Sequence, residues 1–353
     1  MRHLVAVLAF ACFVRLAAAK PPVLSATGAT GLTYNDNITL SKDDVNFGPG
    51  VLSASDLLGV VRVRTQLKLD DTDLVYNGSR THFFKNGDLG FVENSLELTH
   101  TQRYEDEFLL TGQATLARVD PDLLVKPDQN GRFPFTTSEP PDRQVYQLIA
   151  ATAPGRPTDV SLRALAQDQQ YGNNPLLNSS ARAVQLHAGQ KIDAHWAAAV
   201  EVQGVTRDYP NLVGPTPGSI VQTKPHNEAV QATYVPNKHF GFLLKSLWLE
   251  QRANVDAFFL SQQDLSLAAS YDQEKLGNVS LLVQRSAREF ARRPAPGGGS
   301  QSDRDLLVLL QLTHPLGPRG SAVIAFTRDH NQSNVPDFDY SNNIVRIELS
   351  RSF

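Results

Sequence analysis

The stretch LLGVVRVRTQLKLD alternates along its whole length. Leu57, Gly59, Val61, Val63, Thr65, Leu67 and Leu69 share one parity; Leu58, Val60, Arg62, Arg64, Gln66, Lys68 and Asp70 share the other. A period of two places successive side chains on opposite faces of a strand. One face is therefore apolar and the other charged. FLLTGQATLARV, VSLRALAQ, WAAAVEVQ and DLLVLLQL repeat the pattern, and the final NNIVRIELSRSF carries it to the last residue. There, Val345, Ile347, Leu349 and Phe353 share a face with Arg351, while Arg346, Glu348, Ser350 and Ser352 lie opposite.

The connections alternate too. Short turns fall near 70–72, 105, 154–156, 193–194, 237–238, 272–276 and 315–318. Longer polar stretches fall at 41–55, 120–142, 172–179, 210–225, 252–261, 291–302 and 331–339, with one short connection at 85–88. Gly, Pro, Asn and Asp dominate them, as turn and loop chemistry requires. Short turns on one side and long loops on the other are the pattern of an up-and-down transmembrane antiparallel β-barrel. Segmentation predicts an all-β fold of about sixteen strands, with fourteen as the alternative count. A closed barrel has no edge, so its last strand can end in register against its first.

The start of the chain supplies the route. MRHLVAVLAFACFVRLAAAK has basic residues, an apolar run from Leu4 to Val14 and the small-residue stretch Ala17-Ala18-Ala19. That is the layout of a secretory signal peptide, and cleavage after Ala19 is expected, leaving 20–353 as a single barrel domain. The only Cys is Cys12 and the only Met is Met1, so a mature chain contains neither and holds its fold without disulfides. Loss of Arg2 and Arg15 leaves 31 basic against 36 acidic residues, which gives no reason to expect a nucleic-acid partner.

No catalytic constellation emerges. No serine sits in a G-x-S-x-G context, no histidine pair has metal-ligand spacing, and PAPGGGSQS lacks the strand–loop–helix setting of a phosphate cradle. The chain is expected to be no enzyme and to hold no cofactor or metal. With lipid on the apolar face, Arg62, Arg64, Lys68, Glu97, Arg163, Lys191, Glu201, Arg346 and Glu348 become candidate pore-lining residues. Barrels of this strand number enclose an aqueous channel. The expected function is passive diffusion or export of a polar solute or polymer. The alternatives are a non-conducting structural or adhesive scaffold and a soluble exported β-sandwich or propeller.

VRIELSRSF resembles the C-terminal assembly signal of Gram-negative outer-membrane proteins, with Val345, Ile347, Leu349 and Phe353 at its alternating positions. The resemblance implies an outer-membrane location, outer-membrane lipids as solvent, and recognition by the barrel-assembly machinery. Arg351 stands where that signal commonly has an aromatic or apolar residue. The wider ending FTRDHNQSNVPDFDYSNNIVRIELSRSF, with GLTYNDNITLS near the start, is similar to barrels of the surface lipoprotein assembly modifier family and related export-associated outer-membrane proteins. That similarity implies an export system as a partner; the helical-repeat domain of that family is not present in this sequence.

The longest loop, 120–142, is the third on the outer side. It is net acidic, with Asp120, Asp122, Asp128, Glu139 and Asp142 against Lys126 and Arg132, yet it contains Leu123, Leu124, Val125, Phe133 and Phe135. Apolar residues in a long loop point to packing against a surface. As in general porins, which it resembles here, this loop is expected either to fold inward as a constriction facing Arg62, Arg64 and Lys68, or to cap the barrel outward.

Overall fold

The computed structural model describes residues 21–36, 45–47, 50–52, 55–85, 87, 90–105, 107–121, 141–171, 175–214, 216 and 219–353. Sixteen antiparallel strands close into one barrel. They are β1 (Val23–Asn35), β4 (Asp56–Leu69), β5 (Thr72–Phe83), β6 (Phe91–Tyr104), β7 (Phe108–Pro121), β8 (Asp142–Thr152), β9 (Thr158–Gln170), β10 (Ser179–Lys191), β11 (Trp196–Val213), β12 (Ile220–Asn237), β13 (Phe240–Ala253), β14 (Leu260–Gln273), β15 (Gly277–Pro294), β16 (Ser300–Pro315), β17 (Gly320–Ser333) and β18 (Tyr340–Ser352). Two short strands, β2 (Val45–Phe47) and β3 (Gly50–Leu52), pair within the first outer connection. Each barrel strand pairs with its chain neighbours, and β18 returns to β1. The expected sixteen strands are thereby met, and the alternative count of fourteen is excluded. A single closed sheet also excludes the sandwich and the propeller, since each needs several sheets.

The alternation explains why closure is required. An apolar outer face calls for a surrounding hydrocarbon phase, and backbone groups in that phase need partners within the chain. Val61, Leu186, Val200, Leu265, Leu310 and Ile347, distributed around the barrel, are all about half exposed. A soluble sheet would cover them. Tight turns join the strands on the opposite side from the long loops, with left-handed backbone at Asp70, Glu105 and Gly155.

Two of these turns share one design. Asp193 Oδ1 accepts from the backbone N–H of His195 (2.7 Å) and Trp196 (2.8 Å), and Asn237 Oδ1 does so from His239 (2.8 Å) and Phe240 (3.2 Å). His195 Nδ1 then lies 2.9 Å from Val235 O, and His239 Nδ1 lies 2.7 Å from Asp272 O, joining each turn to the next. These backbone donors hold the Asp193 carboxyl below its ordinary range. Trp196 stacks on Tyr234 at 4.4 Å, and Phe240 lies 4.7 Å from Tyr271, forming part of an aromatic girdle at that rim.

The chain end completes the seam. β1 and β18 pair from Thr27↔Ser352 to Asn35↔Ile344, and the Phe353 N–H donates to Ala26 O at 2.8 Å. The Arg351 guanidinium lies 5.6 Å from the centre of the Phe353 ring, which accommodates the charge at the position where an apolar residue was expected. Gly31 lets the two strands approach: a Cβ there would lie 2.8 Å from Ile347 O.

The outer connections of the C-terminal half are shorter than the sequence suggests. The expected loops at 210–225, 252–261, 291–302 and 331–339 shrink because strands run on to Val213, Ala253, Pro294 and Ser333 and resume at Ile220, Leu260, Ser300 and Tyr340. These extensions carry charge on their outer side as well, for example Arg252 with Glu250 (2.9 Å) and His226 with Glu228 (3.1 Å). Beyond an apolar belt both faces of a strand meet polar surroundings. Period-two contrast then vanishes, and a strand reads as a loop.

Candidate pore wall

Strand register carries one face around the barrel. Ala29 pairs with Arg62, Arg62 with Ser79, Ser79 with Glu93 and Glu93 with Val119, while Gly31 pairs with Glu348 on the other side. This is the face opposite the exposed apolar belt. Arg62, Arg64, Lys68, Glu97, Arg163, Glu201, Arg346 and Glu348 all fall on it, and Lys191 falls on it at the turn-side mouth.

The geometry divides these side chains into two groups. Arg62 forms an ion pair with Glu348 across β1, over the small residues Ala29 and Gly31. Arg346 donates to Gln311 at 3.2 Å. Glu97 accepts from Gln113 at 2.7 Å and from Thr99 at 3.3 Å, and Gln147 extends the chain by donating to Gln113. The inner-face carboxylates Asp73, Asp264 and Asp303 likewise take wall amides: Gln66, Gln262 and Gln301. Arg64, Lys68 and Arg163 have no such partner among the described residues. Nor has Lys245, which lies between Gln231 and Ser266 on the same face. Among the described residues, Glu201 likewise has no side-chain partner, the other candidate carboxylates are engaged, and Arg64, Lys68, Arg163 and Lys245 keep free N–H donors.

The constriction-loop residues divide differently. Asp122, Asp128 and Glu139 lie outside the described residues. Asp120 and Asp142 are corrected to strand positions. Asp120 belongs to β7 on its outer face, 3.1 Å from the Arg118 side chain, and Asp142 opens β8, where Oδ1 accepts from Val119 N–H. β7 continues past the point where the loop was expected to begin, so its alternation turns Asp120 away from the lumen. Toward the outer end of β4–β7, Phe83, Phe91 and Val119 form a buried inner-face cluster with Leu58.

Two outer connections are held by the inner face. The 3₁₀ segments Asp256–Phe258 and Pro336–Phe338 are held by inner-face amides, Gln251 to Phe258 O at 2.8 Å and Asn331 to Phe338 O. Tyr209 lies 5.7 Å from Phe258. Asn254 and Asn334 pin the two loops to the neighbouring strands in the same way, through Ile220 O (2.7 Å) and Ser300 O (2.9 Å). The signal was present in the sequence as NVDAF and NVPDF, at a separation of 80 residues. Lys245 was also legible: it lies opposite Leu244 in FGFLLKSLWL.

No family model matches the sequence, and no curated protein is significantly similar to it. Solved structures do share the architecture. OccAB3 of Acinetobacter baumannii superposes with a TM-score of 0.56 at 10% identity, over 94% of this chain and 99% of that one. OpdK, an outer-membrane protein of Pseudomonas aeruginosa, gives 0.53 at 8% identity, over 94% and 99%. OccD3 (OpdP) gives 0.53 at 9%, over 96% of this chain and 93% of that one. The shared feature is the fold, an outer-membrane-type β-barrel, which in this chain has sixteen strands.

Proposed function

We propose that this chain is a non-enzymatic outer-membrane channel that admits small polar solutes, with a preference for those carrying a carboxylate. The observation that carries the reading is the imbalance of free groups on the wall. Asp73, Glu97 and Asp264 accept from neighbouring amides, while Arg64, Arg163 and Lys245 have no partner for their N–H donors among the described residues. Guanidinium groups with free donors engage carboxylates in charge-assisted hydrogen bonds, and a low-dielectric wall focuses their field into the lumen. OpdK has been crystallised with vanillate, itself a carboxylate, at a TM-score of 0.55 and 8% identity to this chain. On this reading residues 1–19 are the export signal, outer-membrane lipids cover the belt, and the assembly machinery reads Val345, Ile347, Leu349 and Phe353.

The test is the reversal potential of the full-length mature protein in planar bilayers under a KCl gradient. Anion preference, reduced by Arg64→Gln with Arg163→Gln and Lys245→Gln, is the expected result. Cation preference would refute the substrate class, and absence of conductance would return the scaffold alternative.

A further inference from the structure

On the inner face of β16–β18, toward the loop side, the side-chain oxygens outnumber the available donors. Asp305 pairs with Asn331, and Asp329 pairs with Asn342. Asp305 Oδ2 takes Arg288 Nη2 at 2.7 Å, and Asp329 Oδ2 takes the Tyr340 hydroxyl at 3.2 Å. Asn331 donates its amide N–H to Phe338 O. The remaining oxygens, Oδ1 of Asp305, Asp329, Asn331 and Asn342, are all buried without a partner among the described residues. Asn331 is 3% exposed and Asn342 is 5% exposed, and the two carboxyl groups approach within hydrogen-bonding reach of each other.

We propose that these four oxygens hold a divalent cation of the calcium type. Carboxylate and amide oxygens are the ligands hard cations select, and calcium tolerates an irregular set completed by water. Two carboxylates against the single Arg288 guanidinium leave net negative charge at the site. Because the four atoms are buried rather than open to the lumen, they suit an ion resident in the wall better than the charged group of a passing solute. A single water molecule offers two protons to the four acceptors and leaves two of them unmatched. No group of three His, Cys, Asp or Glu capable of holding a metal occurs among the described residues. The site therefore depends on its two asparagines. It would join β16, β17 and β18 at the root of the Pro336–Phe338 loop, and it is independent of what the channel conducts.

The test uses the full-length mature barrel, folded in detergent and stripped with EGTA, titrated with Ca²⁺ by calorimetry. One ion per barrel is expected, bound at least about tenfold more weakly in Asp329→Asn and in Asn342→Leu. Retained heat-dependent gel mobility verifies that each variant is folded. Terbium bound in place of calcium should luminesce on tyrosine excitation, and lose most of that signal in Tyr340→Phe. No stoichiometric uptake by the wild-type barrel, as would follow if Asp305 and Asp329 share a proton instead, overturns the proposal. So does equal affinity in wild type and both folded variants.

Discussion

The inner faces of β4–β9 and of β14–β18 are built from the same residue types in different balance. On β4–β9, Arg62, Arg64, Lys68, Arg103, Arg143 and Arg163 slightly exceed Asp56, Asp73, Glu93, Glu97 and Asp159; on β14–β18, Asp264, Asp272, Asp303, Asp305, Asp329 and Glu348 outweigh Arg288, Arg292 and Arg346. The two walls meet at the β1–β18 seam, where Arg62 pairs with Glu348. The acidic wall is also the more closely bonded, with Arg288, Gln301, Ser333 and Tyr340 all engaged on carboxylates. The basic wall keeps more free donors. The two sides of one lumen thus differ both in charge balance and in how far their charged groups are already bonded.

The contrast can be broken most severely at the join. Gly31→Val would place side-chain carbons against Ile347 O, and is expected to lower stability by about 3 kcal/mol or block closure. Loss of heat-dependent gel mobility would show it. Next comes the acidic wall. Arg288→Met leaves Asp305, 15% exposed, without its cation, with an expected loss of about 2 kcal/mol in denaturant unfolding; the partial exposure of Arg288 keeps the loss below that of a fully buried pair.

Removing three cations without a partner among the described residues, two on β4–β9 and Lys245 on β13, tests their role without harming the fold. Arg64→Gln with Arg163→Gln and Lys245→Gln should shift the anion-to-cation permeability ratio by roughly tenfold, with unchanged melting. A double-mutant cycle on Arg62 and Glu348 should return a coupling of about 1 kcal/mol or less, since Arg62 is 45% exposed.

The smallest effect lies outside both walls. Asp193, with its carboxyl lowered by backbone N–H groups, contributes stability that is present above the ordinary carboxylate value and is lost as pH falls through the lowered one. Wild type should therefore exceed Asp193→Ala by a constant margin above about pH 4, and the margin should close on further acidification. A margin independent of pH would mean that the charge of Asp193 plays no part.

Where two solvents flank a strand, the sequence was readable. Arg62 opposite Val61, and Arg346 and Glu348 between Val345, Ile347 and Leu349, could be assigned to a face because apolar and polar neighbours alternate. Where one kind of surrounding flanks both faces, the signal failed. Asp120 and the residues after Tyr209, Gln251 and Phe290 read as loop although they are strand.

By itself, then, the sequence determined the strand type, the alternating connections, the terminal strand and the parity of the charged face, since each depends on neighbours a few residues apart. Which charges are spent was decided only by closure and register. Arg62 finds Glu348 across 286 residues, and Asp305 meets Asp329 because β16 and β17 pair in one register rather than the next. A shift by one residue would leave the composition unchanged and turn those side chains toward the outer belt.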